Sequence, residues 1–156
     1  MSASISEQSQ ALVDSVQRVA IVGAGTMGNG ISQVFAQSGY EVVVIDPVDA
    51  ALERGRGSIE TSLGRMVKKE KMTSADAESA LGRISFESGP EAAAGVQWAV
   101  EAVPEDEKLK EKVLAALDEQ VADAGVIATN TSSISITRLA NFTSRPQSFV
   151  GMHFMN

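Results

Sequence analysis

Residues 16–46 read VQRVAIVGAGTMGNGISQVFAQSGYEVVVID, and this stretch decides the fold. An apolar run is followed by three spaced glycines, then by apolar residues at helical spacing, and finally by a second apolar run. Short apolar runs on either side of a helix are typical of the βαβ unit of a buried parallel sheet. The stretch therefore predicts strands over Arg18–Val22 and Glu41–Ile45, with a helix between them.

The same alternation continues along the rest of the chain. Most of the later apolar runs are followed by a segment that can form a helix, of which residues 105–121 are the clearest. Six strands in this alternation predict an α/β fold of Rossmann type, with a doubly wound, mostly parallel sheet. The four further strands are predicted at Ile84–Glu87, Trp98–Glu101, Val126–Thr129 and Phe149–His153.

The connection between the second and third strands is longer than a simple crossover requires. It reads as two helices, the first over about Asp49–Glu70 and the second over about Ser74–Leu81, which Thr73 would cap. We therefore expect a helical hairpin over residues 47–82, inserted into the Rossmann domain of residues 16–156.

Composition excludes several classes of function. The chain has 156 residues, a formal net charge of −7 and no cysteine. The negative charge argues against a nucleic-acid partner, because such proteins neutralise phosphates with Lys and Arg. The lack of cysteine excludes thiolate metal sites and fits a reducing compartment, and we expect no metal site. No apolar run could span a membrane and residues 1–15 look like a flexible leader without signal-peptide features, so we expect a cytoplasmic protein.

The glycine loop has the spacing of a dinucleotide-binding fingerprint. Gly23, Gly25 and Gly28 form G-x-G-x-x-G, a pattern that by itself also fits a tight turn without a ligand. Here the pattern follows a predicted strand and opens a predicted helix, as the fingerprint requires. Thr26 and Met27 then supply backbone N–H groups at the helix N-terminus, where phosphates bind favourably.

Asp46 comes directly after the second predicted strand and favours NAD over NADP. Its carboxylate can accept hydrogen bonds from ribose hydroxyls but would repel the additional phosphate of NADP. Pro47 and Val48 follow it instead of an arginine that could accommodate that phosphate. FAD is the other ligand that this fingerprint allows.

Two further candidates lie where predicted strands end. His153, the only histidine, comes at the end of the sixth strand, and the sequence NTSS at residues 130–133 follows the fifth. Carboxyl ends of parallel strands border the ligand crevice, and histidine is suited to general acid–base chemistry near neutral pH. The alternatives are a histidine with no catalytic role and serines that cap a short helix over Ile134–Leu139. With several serines both interpretations can hold, with Ser132 in the site and Ser133 or Ser135 as the cap.

Several segments together resemble one family, the 3-hydroxyacyl-CoA dehydrogenases, and especially the bacterial 3-hydroxybutyryl-CoA dehydrogenases. The resemblance covers residues 16–156 with the segments in the same order, and ATNTSS followed by GMHF is its most specific part. It implies NAD-dependent hydride transfer between a 3-hydroxyacyl-CoA and its 3-ketoacyl-CoA. The matching segments are residues 16–46, SLGRMVKK at 62–69, VEAVPEDEKLKEKV at 100–113, ATNTSSISIT at 128–137 and GMHFMN at 151–156.

The resemblance also implies the residues of the reaction centre. It makes His153 the catalytic histidine, which takes the hydroxyl proton in oxidation and returns it in reduction. Ser132 matches the serine that meets the substrate's C3 oxygen and the nicotinamide region, and Asn130 would hold the loop or the cofactor. Among cofactor contacts, Glu105 and Lys110 match family positions on the NAD ribose and nicotinamide side, although an acid at position 105 would also suit a first helical turn.

The remaining matches concern the nicotinamide side and CoA. Asn156 matches another nicotinamide-side contact, while Ser62 and Lys69 match positions that meet the nucleotide end of CoA. Ser62, Arg65 and Lys69 share one helical face of an acidic protein, which favours an anionic ligand. The alternative is a solvated basic face with no ligand.

The chain departs from the family pattern at its end. Met155 replaces a phenylalanine, and nothing follows Asn156, where the family has a proline, a glutamate that orients the histidine, and a helical domain that completes the substrate site and forms a homodimer. We therefore expect an NAD-binding domain that binds NAD but has little turnover by itself. The alternatives are a stand-alone NAD-binding or sensing module and a related dehydrogenase that acts on a different hydroxy acid.

Overall fold

A computed structural model describes residues 10–11 and 13–155. Within the expected leader, residues 10–11 and 13–15 are helical, and residues 1–9 and 12 lie outside the described part. The main elements follow in the predicted order. They are β1 (Arg18–Val22), α1 (Thr26–Gln37), β2 (Glu41–Ile45), α2 (Asp49–Lys68), α3 (Ser74–Gly82), β3 (Ile84–Glu87), β4 (Trp98–Glu101), α4 (Glu107–Gln120), β5 (Val126–Thr129), α5 (Ile136–Ala140) and β6 (Phe149–Gly151), with short 3₁₀ helices at Pro90–Ala93 and Pro146–Ser148.

The six strands form one parallel sheet in the order β3-β2-β1-β4-β5-β6. This is the doubly wound order, which reverses direction between β1 and β4 and opens a crevice at their carboxyl ends. The predicted fold class is confirmed.

Successive side chains along the strands point to opposite faces of the sheet, so the core has two layers. Val19 and Ile21 of β1 face the layer covered by α1, α2 and α3, whereas Ala20 and Val22 face the layer covered by α4 and α5. All four side chains are buried. Because both faces of the sheet are covered, its strands read as continuous apolar runs.

The helical hairpin is present close to its predicted bounds. Thr73 caps α3 by accepting a hydrogen bond from Asp76 N at 3.1 Å. The first helix, α2, ends two residues earlier than predicted because Glu70 adopts the left-handed conformation, with φ 55°. Buried Leu52 and Ile59 join the core layer beside α1.

Two later elements differ from their predicted bounds. The prediction that a helix begins at Glu105 is wrong, because Asp106 is the N-cap of α4 and accepts from Leu109 N at 2.8 Å. Likewise, β6 ends at Gly151, so His153 lies beyond the strand in the following segment. Of the two serines considered as caps, Ser135 caps α5.

A hydrogen-bonded clasp ties the loop before β6 to the end of α4. The guanidinium of Arg145 donates from Nε to Asp118 Oδ1 at 2.6 Å and from its two terminal nitrogens to the carbonyls of Ala122 and Asp118 at 2.6 and 2.8 Å. Ser144 N donates to Asp118 Oδ2 at 2.6 Å. The clasp satisfies carbonyls at the helix end, where an α-helix leaves acceptors without partners, and fixes the approach to β6.

Replacing Asp118 by Asn is expected to lower the free energy of unfolding at pH 7 by about 1.5–3 kcal/mol, the range for hydrogen bonds to charged groups. Burial alone would raise the pKa of Asp118, but hydrogen bonds from Ser144 and Arg145 and the charge of Arg145 outweigh it and lower this pKa. The carboxylate therefore stabilises the fold above its unfolded-state pKa, and this contribution is lost as pH falls through the lower folded-state value. Chemical denaturation between pH 3 and 7 measures both effects.

The matched control is Asp123→Asn, which changes an exposed aspartate near the end of the same helix. We expect it to change stability by less than about 0.5 kcal/mol, as surface substitutions usually do. Two results would contradict a stabilising clasp. One is an equal loss of free energy of unfolding in the two variants, and the other is the same decrease in stability at low pH in Asp118→Asn as in the unsubstituted protein.

Candidate functional site

The glycine loop needs glycine at two positions for steric reasons. Gly23 has φ 110°, and a Cβ there would lie 2.7 Å from Ala102 O. At Gly28 a Cβ would lie 1.8 Å from Gly23 O, so only glycine lets α1 start this close to the preceding turn. The loop follows β1 directly and is tied to β2 by a hydrogen bond from Gly23 N to Ile45 O at 2.8 Å.

Gly25 differs from these two because its surroundings are open. It is the N-cap of α1 with extended φ and ψ of −80° and −174°, and no atom lies within 4 Å of an added Cβ. No side chain caps the helix and no acidic residue lies in its first turn. Because the backbone N–H groups of Thr26 and Met27 lie at this end, the helix offers its positive pole to an anion.

A cleft of about 840 Å³ extends from this loop across the carboxyl ends of the strands. One wall is formed by the glycine loop and Asp46, and the other by residues 102–105 with Leu109 and Val113 of α4. The volume suits a large organic ligand, and an apolar wall with a few polar groups is typical of such sites. A backbone bare of Cβ atoms at Gly25, beside an uncapped helix end, fits a dinucleotide pyrophosphate.

Asp46 lies at the β2 end of the cleft and also stabilises the glycine loop. Its Oδ2 accepts from Ala24 N at 2.9 Å, and its Oδ1 accepts from Val48 N at 3.0 Å. Sequence reasoning missed Arg54, which lines the same cleft from the second turn of α2. A cation therefore does stand in the neighbourhood of Asp46, although none follows it directly in sequence.

Glu105 lies in the loop between β4 and α4 and holds the loop after β5. Its carboxylate accepts hydrogen bonds from Thr131 Oγ1 and, at 3.3 Å, from Ser132 N. Burial would raise the pKa of Glu105, but these hydrogen bonds and the charges of Lys110 and His153 outweigh it and lower this pKa. Glu105 therefore stays ionised near neutral pH and fixes the backbone of Ser132.

Ser132 and His153 lie next to each other at one side of the cleft. Ser132 lines the cleft, and its Oγ lies 3.1 Å from His153 Nε2. Asn130 holds the histidine's segment, since its Oδ1 accepts from Phe154 N at 2.7 Å, and Met152 N donates to Thr129 O at 2.9 Å. Two residues 21 positions apart thus form a hydroxyl–imidazole pair that can exchange a proton with a bound ligand.

Lys110 lies below the surface of the cleft. Its side chain is 1% exposed, and its Nζ is 2.7 Å from Glu101 Oε1 and 3.2 Å from Val103 O. Asn156 lies outside the described residues. The structure thus brings the glycine loop, Asp46, Glu105, Asn130 and Ser132 to one cleft, with His153 beside it and Lys110 beneath it.

A groove of about 520 Å³ between α1 and α2 adjoins the cleft and shares Thr26, Asn29, Arg54 and Ser58 with it. Ser62 and Arg65 line this groove. Lys69, the C-cap of α2, lies outside its lining. The predicted basic face is therefore only partly in the groove.

Some features of the site have no local sequence signal. In the sequence, Glu101 looks like an ordinary strand end and Thr131 like part of a helix-capping run. The packing of β4 against β5 brings Glu101 to Thr129 and Thr131 to Glu105. No group of three or more potential ligand residues that could hold a metal occurs among residues 10–11 and 13–155. In that same described part of the chain, no helix is long and apolar enough to cross a membrane.

One protein family and several known proteins are similar to this chain. Residues 18–156 match the family model described as 3-hydroxyacyl-CoA dehydrogenase, NAD binding domain. A probable 3-hydroxybutyryl-CoA dehydrogenase of Deinococcus radiodurans is 47% identical over 87% of this chain and 49% of its own length. A 3-hydroxybutyryl-CoA dehydrogenase of Mycobacterium tuberculosis is 43% identical over 92% of this chain and 50% of its own length.

A solved structure of a protein with the same function in its name is also similar to this chain. The crystal structure of (S)-3-hydroxybutyryl-CoA dehydrogenase from Ralstonia eutropha has a TM-score of 0.88 and 48% sequence identity, over 91% of this chain and 50% of that chain. The chain therefore spans about half the length of the relatives that it matches. The resemblance identified from the sequence is confirmed.

Proposed function

Since this chain belongs to the 3-hydroxyacyl-CoA dehydrogenase family, in its NAD-binding domain, we propose that it binds NAD and supplies His153 and Ser132 for oxidation of a 3-hydroxyacyl-CoA. The proposed substrate pair is short-chain, 3-hydroxybutyryl-CoA and acetoacetyl-CoA, because relatives that match most of this chain carry that name. The observation that carries the proposal is the 3.1 Å contact between Ser132 Oγ and His153 Nε2 beside the cleft.

In the proposed reaction the cofactor transfers the hydride and the side chains handle the proton. NAD, when bound, supplies the acceptor or donor of the hydride at the substrate's C3 carbon. His153 takes the C3 hydroxyl proton in oxidation and returns it in reduction, the role of a general base and then of a general acid. Ser132 can accept from the alcohol and donate to the ketone, so one hydroxyl serves both states of the substrate.

Glu105 supports both residues from the opposite loop. It holds Ser132 N and Thr131 Oγ1, which keeps the Ser132 hydroxyl directed at His153. Its lowered pKa keeps it negative near neutral pH, and that charge attracts the positive charge that His153 acquires when it takes the proton. We place Glu105 in the cofactor site as well, because it lines the cleft.

The groove between α1 and α2 is the proposed location of the nucleotide end of CoA. Arg54 and Arg65 provide two cations and Ser62 provides a hydroxyl along it, in a protein whose net charge is −7. Its continuity with the cofactor cleft would let the acyl chain reach Ser132 while the phosphates stay on α2. Lys69, one turn beyond Arg65, would add charge at the far end.

Other parts of the proposal concern the whole protein. The relatives are about twice as long as the part that this chain matches. We propose that a further domain of the whole protein completes the acyl site and forms a homodimer. A cytoplasmic location would fit a cysteine-free enzyme of acyl-CoA metabolism.

The proposal is tested by binding and by turnover. Calorimetry should show that NADH binds this chain, and the longest polypeptide that contains the chain should oxidise NADH with acetoacetyl-CoA but not with free acetoacetate. Equal rates with the thioester and the free acid would favour a dehydrogenase for another hydroxy acid. NADH binding without thioester turnover would favour a binding module, and no NADH binding would overturn the proposal.

A further inference from the structure

A buried ion pair lies directly beneath the cofactor cleft. Lys110 Nζ and Glu101 Oε1 are 2.7 Å apart, and their side chains are 1% and 0% exposed. Removing two charges from water is costly, and an apolar pair of similar volume is often as stable or more stable. Overall stability is therefore a weak explanation for the charges at this place.

The hydrogen bonds of the pair point to another role. Glu101 Oε1 also accepts from Val103 N at 2.8 Å, and Lys110 Nζ donates to Val103 O at 3.2 Å, so both polar groups of one cleft-lining residue are held. Glu101 Oε2 accepts from Thr129 Oγ1 at 2.7 Å. The pair thus fixes the last residue of β5 and the loop after β4 together.

Three segments that carry site residues follow from the two residues that the pair holds, Val103 and Thr129. Val103 leads to Glu105, and Thr129 leads to Ser132. The carbonyl of Thr129 also accepts from Met152 N at 2.9 Å, which places the residue directly before His153. Hydrogen bonds to ionised groups are short and directional, whereas an apolar pair would leave these loops free to shift.

We propose that Glu101 and Lys110 are positioning residues that set the cofactor-lining loop at Val103 and the Ser132–His153 pair relative to each other. Lys110 then acts on NAD from beneath, through Val103 and Glu101, and not by direct contact. The inference rests on the proposed function, because positioning is measured through NADH binding.

Three variants of similar size test the inference: Glu101→Gln, Lys110→Met and the double variant. For each variant, fluorescence titration gives the NADH Kd and circular dichroism gives Tm, while NMR follows the ring signals of His153, the only histidine in the chain. The matched control is Glu111→Gln, which changes an exposed glutamate next to Lys110 on the same helix. We expect the control to match the unsubstituted protein in all three readouts.

We expect Glu101→Gln to weaken NADH binding about tenfold, the loss that corresponds to one charge-assisted hydrogen bond. Lys110→Met should weaken it at least as much and lower Tm the most, since it leaves a buried carboxylate unpaired. The double variant should recover Tm to within about 5 °C of the unsubstituted protein. It should nevertheless keep the tenfold weaker NADH binding and displaced His153 signals.

Two results would overturn the inference. Recovery of NADH affinity together with Tm in the double variant would show that the pair is only structural. Unchanged NADH binding in Glu101→Gln, together with a loss in both variants that lack Lys110, would show that Lys110 contacts the cofactor itself. If the unsubstituted chain does not bind NADH, the proposed function fails first, and the His153 signals still report whether the pair positions that residue.

Discussion

Replacing Gly25 by Ala is expected to weaken NADH binding by at least about a hundredfold while the fold stays intact. The extended backbone of Gly25 suits any residue, and an added Cβ meets no atom within 4 Å, so the change in free energy of unfolding should stay below about 1 kcal/mol. The added methyl group instead lies at the uncapped start of α1. There it would keep the pyrophosphate away from the N–H groups of Thr26 and Met27, and two charge-assisted hydrogen bonds are together worth about 3–6 kcal/mol.

Two other glycines make this prediction specific. Gly28→Ala would place a Cβ 1.8 Å from a backbone oxygen, so we expect that variant to lose stability and NADH binding together. Gly64→Ala lies in α2 away from cleft and groove, with no atom within 4 Å of the new Cβ, and should bind NADH normally. It should also gain up to about 1 kcal/mol of helix stability. Binding by Gly25→Ala within about threefold of the unsubstituted chain would place the phosphates elsewhere.

The sheet and the glycine loop could be predicted because their signals are local. Short apolar runs mark the strands, which are three to five residues long, and the G-x-G-x-x-G spacing of Gly23, Gly25 and Gly28 can be recognised within six consecutive residues. The doubly wound order then follows from right-handed crossovers, which leave few other arrangements for a βαβ alternation. His153 could be placed near the crevice for the same reason, although β6 ends two residues before it.

The polar network could not be predicted because its partners come from different elements of the fold. Glu105 suggested a first helical turn, yet it lies before the Asp106 cap and binds residues after β5. Lys110 matched a cofactor contact in the family, yet its side chain turns inward to Glu101. The partners of Glu105 depend on how β5 lies beside β4, and the partner of Lys110 depends on how α4 packs against β4. No local pattern encodes either contact.

Asp46→Asn is expected to raise the affinity for NADPH relative to NADH by about fivefold to several hundredfold. A carboxylate and a phosphate about 4 Å apart repel each other by about 1–4 kcal/mol between the dielectric constants of water and of a protein surface. Asparagine has nearly the same shape without the charge. The ratio of the two Kd values is the proper readout, because Asp46 also accepts from Ala24 N and Val48 N. Any loosening of the loop would weaken both cofactors together.

Arg54 determines how large the change in relative NADPH affinity is, since it lines the same cleft as Asp46. If the removal of the Asp46 charge leaves Arg54 able to pair with the additional phosphate, the ratio should rise towards the upper limit. In the double variant Asp46→Asn with Arg54→Met, the affinity for NADPH relative to NADH should then fall back towards the increase of about fivefold. Calorimetric titrations with both cofactors, at low salt and at 0.15 M salt, separate these contributions because exposed charges are screened over about 8 Å at the higher ionic strength. Equal affinities for NADH and NADPH in the unsubstituted chain would remove Asp46 as the residue that discriminates between them.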